Sequence, residues 1–140
     1  MTLEPLLTAP WPIAVHGFAA LAAFLIGASQ LVLPKGTPRH RAVGWTWVIL
    51  MATVAISSFW IHTICTFAGF SPIHAISIFT LVCLPVAVQH ARKGRIQSHK
   101  RLMMALFFFA LVIAGLFTLV PGRIMHDVVF GTQSPHGACA

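Results

Sequence analysis

Apolar residues run through three long windows that hold no Asp, Glu, Lys or Arg: Pro5 to Pro34, Ala42 to Ala91, and Leu102 to Gly122. A helix needs roughly 20 apolar residues to cross the hydrocarbon core of a bilayer. The first and last windows therefore hold one helix each. The middle window holds two, divided by a turn at Ala68-Gly69-Phe70-Ser71-Pro72. The pattern predicts helices over about 13–33, 42–64, 72–90 and 100–120, and a short surface segment over 124–130. The fold class that follows is all-α, an integral membrane four-helix bundle occupying 1–131, with 132–140 a loosely ordered tail.

Punctuation residues place the ends. Trp11 stands between Pro10 and Pro12, an interfacial anchor beside a proline suited to a helix start. Pro34 stops the first helix. Ser71-Pro72 reads as an N-cap and first-turn proline for the third helix, Ser98 as a cap for the fourth, and Pro121-Gly122 as its stop. Pro85 removes one backbone bond inside the third helix and is expected to kink it. Gly17 and Gly27 line the first helix and would let another helix or a flat ligand come close. Met103, Met104 and the run Phe107-Phe108-Phe109 read as packing or lipid contact.

Composition agrees with a bilayer. Hydrophobic residues make up 58% and charged residues 8% of the chain, against about a quarter charged in a soluble domain. The formal charge of +7 would suggest nucleic acid, but its arrangement excludes that partner. Eight of nine cations fall in two short loops: Lys35, Arg39, Arg41, Arg92, Lys93, Arg95, Lys100 and Arg101. Clustering of this kind is the positive-inside signature. Both loops are thus expected in the cytoplasm, both termini and the Ala68–Ser71 turn outside, and most of the cations against anionic lipid headgroups. Met1-Thr2-Leu3-Glu4 carries an acid and no base, unlike a signal peptide, so the first apolar segment is expected to remain as a helix. Cys65, Cys83 and Cys139 show no CxxC spacing; a Cys65–Cys139 disulfide is open.

The loops also repeat. Lys35-Gly36 leads to His40 between Arg39 and Arg41, and Lys93-Gly94 leads to His99 beside Lys100 and Arg101. Each is preceded about one span upstream by another histidine. His16 lies 24 positions before His40, and His74 lies 25 before His99. Two hairpins in the same orientation imply a pseudo-two-fold axis along the membrane normal. The four histidines then form two layers: His16 with His74 outside, His40 with His99 inside.

Each layer offers two imidazoles from alternate helices, which is the donor set of six-coordinate haem iron held between helices. From His16 to Leu33 the helix rises about 25 Å at 1.5 Å per residue, so two haems b at these depths would carry electrons across the bilayer. Arg39, Arg41, Lys100 and Arg101 are the candidate propionate partners inside, and Arg123 the one outside. His62 and His126 are weaker metal candidates on the outer side, and His136 and Cys139 add ligand chemistry in the tail. His90 is expected at the inner interface. The opposing reading is structural, since a histidine at a helix end commonly caps carbonyls or meets headgroups. Glu4 and Asp127 are the only acids, so no catalytic carboxylate pair exists. No nucleophile elbow or phosphate loop is present, and hydrolase and kinase chemistry are excluded.

The set His16, Gly36…Arg39-His40-Arg41-x-x-Gly44-Trp45, Ser71-Pro72-Ile73-His74, Gly94…His99-Lys100-Arg101 and Pro121-Gly122-Arg123 resembles a bacterial family of four-helix membrane proteins classed as a domain of unknown function. That resemblance implies the fold and no activity. A more distant architectural likeness joins the chain to the two-haem, four-helix b-type transmembrane cytochromes, including those reduced by ascorbate. It implies ligand pairs His16/His74 and His40/His99 from alternate helices. The expected function is electron transfer across or within the bacterial cytoplasmic membrane, as a carrier or oxidoreductase subunit. A redox partner protein or a homodimer is expected, with a quinone as a further candidate cofactor. The alternatives are a metal- or haem-handling assembly factor and a non-catalytic membrane anchor or scaffold subunit.

Overall fold

In the computed structural model the described residues are 4–61, 72–121 and 124–131. They form helices and connecting turns. Helix α1 is the short Glu4–Leu7, and α2 runs Trp11–Val32. Helix α3, Pro38–Ser57, continues as a 3₁₀ turn over Ser58–Trp60. Helix α4 is Pro72–Arg92, and α5, Ile96–Ala105, passes into a π-helical segment over Leu106–Ile113 and a last turn, α6, over Ala114–Phe117. Helix α7 is Ile124–Phe130. Four stretches are long and apolar enough to cross a membrane: Trp11–Val32, Pro38–Trp60, His74–Arg92 and Ile96–Phe117.

The two basic connections owe their shape to glycine. Gly36 and Gly94 have φ of +83° and +70°, a left-handed conformation that a side chain resists. At the second connection Arg95 N–H donates to His90 O at 2.9 Å and Gly94 N–H to Ala91 O at 3.2 Å, the paired bonds of a Schellman helix end. At the first, Lys35 Nζ donates to Leu31 O at 2.8 Å, taking up a carbonyl that α2 leaves open. The repeated Lys-Gly therefore has a local structural cause, independent of any ligand.

Several helix ends differ from the expectations. The second span starts at Pro38 rather than near 42, because Thr37 caps it: its Oγ1 accepts from His40 N–H at 3.1 Å, with Pro38 in the first turn. Arg39, His40 and Arg41 thus belong to the helix, not the loop. The span stops sooner as well, Ile61 being extended where helix was expected to about 64. Ser98 does not cap the fourth span. The Schellman turn feeds directly into α5, whose N-cap is Arg95, and Ser98 lies one turn inside. Helix α4 passes through Pro85 as one unbroken element. The Ala68–Ser71 turn and the Ser71 cap fall outside the described residues.

The spans form a ring. α2 packs on α3, α3 on α4, α4 on α5 and the π segment, and that segment closes back on α2. Alternate spans therefore face each other diagonally. The core is built from all four: Ala23, Trp47, Met51, Leu84, Leu106, Phe107 and Leu111. Phe107 turns into this core, stacked with Phe24 at 5.9 Å between ring centroids, while Phe108 and Phe109 face outward. Gly27 does admit a close approach, but by the chain's own side chains. A Cβ built there would lie 2.6 Å from Trp47 Nε1 and 2.7 Å from Phe107. Gly17 is likewise covered by Leu6 of α1. Large apolar residues such as Leu25, Ile49, Val82 and Phe109 point away from the bundle, as expected of a surface bathed in lipid rather than water.

Helix α7, expected as a short surface segment, packs against α1, with Asp127 and Val128 buried.

Candidate functional site

The four repeat histidines fall at two ends of the bundle, separated by the Trp47–Met51–Phe107 core. At one end His16 projects from α2 toward the end of α3. Its Nδ1 lies 3.0 Å from Val54 O and 3.1 Å from Ser57 Oγ. A carbonyl oxygen only accepts, so Nδ1 carries the proton and Nε2 is left with its lone pair. Ser57 itself donates to Thr53 O at 2.7 Å, leaving its oxygen free to accept. His74, on α4, is 4% exposed and tilts against Phe59 with ring centroids 5.7 Å apart. Both histidines thus meet the same closing turn of α3, one from α2 and one from α4.

Polar side chains that the sequence reading passed over surround this end. Ser57, Ser58, Ser77 and Thr80 are all buried. Ser58 and Ser77 hydrogen-bond hydroxyl to hydroxyl across α3 and α4, and Thr80 donates to Ile76 O at 2.8 Å. Small hydroxyls at helical spacing look like ordinary membrane-helix residues, which bond their own i−4 carbonyls. Only their convergence on one end distinguishes them.

The other end carries the basic connections. His99, on α5, directs Nδ1 to Ala87 O of α4 at 2.8 Å. The same argument fixes the proton on Nδ1 and leaves Nε2 as the basic nitrogen. His40, in the first turn of α3, lies within electrostatic reach of His99 and Lys35. Its backbone carbonyl accepts from Gln30 Nε2 at 3.3 Å. Two buried polar atoms here have no partner among the described residues, Gln30 Oε1 and His40 Nδ1. They adjoin a recess of about 270 Å³ lined by Gln30, Leu33, Pro34, Thr37, Arg39, His40 and Val43. Gln30 drew no attention in the sequence because a lone amide in an apolar run carries no motif.

The candidate cations separate. Arg39 joins His40 at the recess. Arg41 is exposed. Lys100 and Arg101 line a different groove, on the outer face of α5. Arg92 lies over the Trp45 ring at 5.8 Å and ties α4 to α3. His90, expected at an interface, is half-buried at the end of α4. His126 sits beside Asp127, Nδ1 to Oδ1 3.6 Å, and against Phe130. Arg123, His62, His136, Cys65 and Cys139 lie outside the described residues, and Cys83 is a half-buried free thiol. Among the described residues no three His, Cys, Asp or Glu side chains converge as a metal-binding group.

The family model described as Predicted membrane protein (DUF2306) matches residues 13–133. The chain belongs to this family. Membership and the four spans together make it a multi-pass membrane protein. The DUF2306 match takes in all four repeat histidines and all of the four spans but the first two residues, so every residue of the two polar ends lies within the family's domain. No curated protein and no solved structure matches the chain.

Proposed function

We propose that this DUF2306 protein is a b-type haem protein of the bacterial cytoplasmic membrane. It would move electrons across or within the bilayer, with His16/His74 and His40/His99 as ligand pairs and both basic connections on the cytoplasmic side. The observation that carries the reading is repeated at the two ends: His16 and His99 each give the Nδ1 proton to a backbone carbonyl of a neighbouring helix. Iron-ligating and zinc-ligating histidines adopt this arrangement because it fixes the tautomer, orients the ring and makes Nε2 the basic nitrogen. A carbonyl-capping histidine makes the same bond; what supports ligation is its repetition at both ends with Nε2 left basic each time.

The donor chemistry therefore fits haem b, which when bound would supply one-electron redox chemistry. Gln30 Oε1 and His40 Nδ1 support the reading at the basic end. Buried polar atoms without partners are rare, and here they adjoin a recess that opens beside Arg39. Arg39 would pair a propionate there by a charge-assisted bond. The chain's own part would be to hold and orient the imidazoles and to exclude water through the Trp47–Phe107 core. A membrane quinol is the donor class that a site within the bilayer would meet, delivered directly or through a redox partner or second copy.

The test is a reduced-minus-oxidised visible spectrum of the full chain purified in detergent, with haem quantified per chain. Two b-type haems are expected, with His16→Ala and His99→Ala each removing one. A protein that stays colourless after growth with excess haem overturns the assignment and returns the question to metal handling or an anchor role.

A further inference from the structure

A groove on the outward face of the fourth span has chemistry that the histidine ends do not use. Gln97, Lys100, Arg101, Met104, Phe108 and Phe109 line about 380 Å³ of open space. They recur at three- and four-residue intervals, so they form one stripe along the helix. The polar members stand at its first end, where α5 leaves the basic connection, and the apolar ones follow.

The cations of this stripe are set apart by the groove they line: Arg41, Lys93 and Arg95 are exposed as well, but line neither this groove nor the His40 recess. Lys35 is committed to Leu31 O, Arg92 to the Trp45 ring, and Arg39 to the His40 recess. Lys100 and Arg101 have no hydrogen bond, ion pair or ring contact among the described residues, and both are exposed. Among the described residues no carboxylate lines the groove. Two adjacent unpaired cations call for an anion, and the aromatic wall beside them calls for hydrocarbon. Lys100 to Phe109 spans about 14 Å of helix, close to the half-thickness of a bilayer core of about 30 Å. One molecule meets both demands over that length.

We propose that this groove holds a single anionic phosphoglycerolipid. Its phosphate is bound by Lys100 and Arg101 with Gln97 beside them, and one acyl chain lies along Met104, Phe108 and Phe109. The π segment sets the lower half of the site, because its wider turn presents Phe108 and Phe109 outward together while Phe107 enters the core. This is a discrete site, distinct from the general attraction of a basic surface to a membrane, and it stands independently of haem binding.

The experiment is native mass spectrometry of the full chain released from detergent in the presence of phosphatidylglycerol or phosphatidylcholine. The variants are Lys100→Gln/Arg101→Gln and, as a charge-matched control, Lys93→Gln/Arg95→Gln. One phosphatidylglycerol retained per chain is expected, weakened about tenfold or more in the first variant and little changed in the control. Phosphatidylcholine and inorganic phosphate should not substitute, and histidine-dependent colour should be the same in both variants. Equal losses in the two variants would reduce the site to diffuse surface charge and overturn it. So would retention of phosphate alone, or a loss of dimer in the first variant, which would make the stripe an interface between copies.

Discussion

Trp47 on α3 donates its indole N–H to the Ala23 carbonyl of α2 at 2.9 Å, in the buried centre of the bundle. Ala23 is completely buried and Trp47 nearly so. The indole can lie flat against α2 because Gly27, one turn on from Ala23, has no side chain. The bond also meets a carbonyl that already serves its own helix, so it adds an interhelical link without opening the ladder. In a membrane, where apolar association gains little over lipid contact, such links and close packing hold helices together.

Gly27→Ala is therefore expected to be destabilising despite alanine's better helix propensity. Its methyl would meet both the indole and the Phe107 ring at under 3 Å, and overpacking of this kind costs about 1–3 kcal/mol. A lower thermal unfolding midpoint in detergent checks it. An unchanged midpoint would mean that Trp47 and Phe107 yield easily and do not define the core.

Thr37→Ala removes the side-chain acceptor for His40 N–H. Loss of an N-cap costs about 1 kcal/mol, and here it also frees the first turn of α3, which carries Arg39 and His40. Hydrogen exchange should show faster amide exchange at His40 and Arg41 with the rest of the bundle unchanged. Thr37→Ser should restore protection.

Gln30→Leu should leave the stability of the haem-free protein unchanged or raise it by about 1 kcal/mol. The amide Oε1 is buried without a partner and the Nε2 bond to His40 O is long at 3.3 Å, so an apolar residue of similar shape removes a desolvation cost. The same substitution should lower haem occupancy at the basic end, if Gln30 serves the bound state. Thermal midpoints with and without added haem separate the two effects.

Ser77→Ala breaks the hydroxyl link from α4 to Ser58. Ser58 keeps its bond to Ala55 O at 2.7 Å, so no buried hydroxyl is stranded and the loss should be small, about 1 kcal/mol or less. Ser57→Ala should be worse for function than for stability, because it removes one of two groups that orient His16. Under the haem proposal, a spectrum shifted or weakened at one haem, with a near-normal melting curve, is the expected result.

The four spans, the two basic connections and the grouping of the histidines by height were written in the sequence. Each depends on a one-dimensional quantity: the length of an uncharged run, the placement of cations, and the number of residues between two turns. The repeated Lys-Gly was legible too, though its cause, a left-handed glycine in each connection, belongs to backbone geometry. Which way the side chains face was not legible. Each span is apolar on every side, so hydrophobic periodicity does not say which stripe meets another helix and which meets lipid. That is why Trp47 and Phe107 entered the core while Trp45 and Phe108, their near neighbours, stayed outside. It is also why Gln30, Ser57, Ser77 and Thr80 passed unnoticed until the packing brought them to the histidines. The sequence alone determined that this chain crosses a membrane four times with imidazoles near both ends. The tertiary structure alone decided their hydrogen-bond partners, because a side chain's partner across a helix interface depends on rotation about axes that the order of residues does not record.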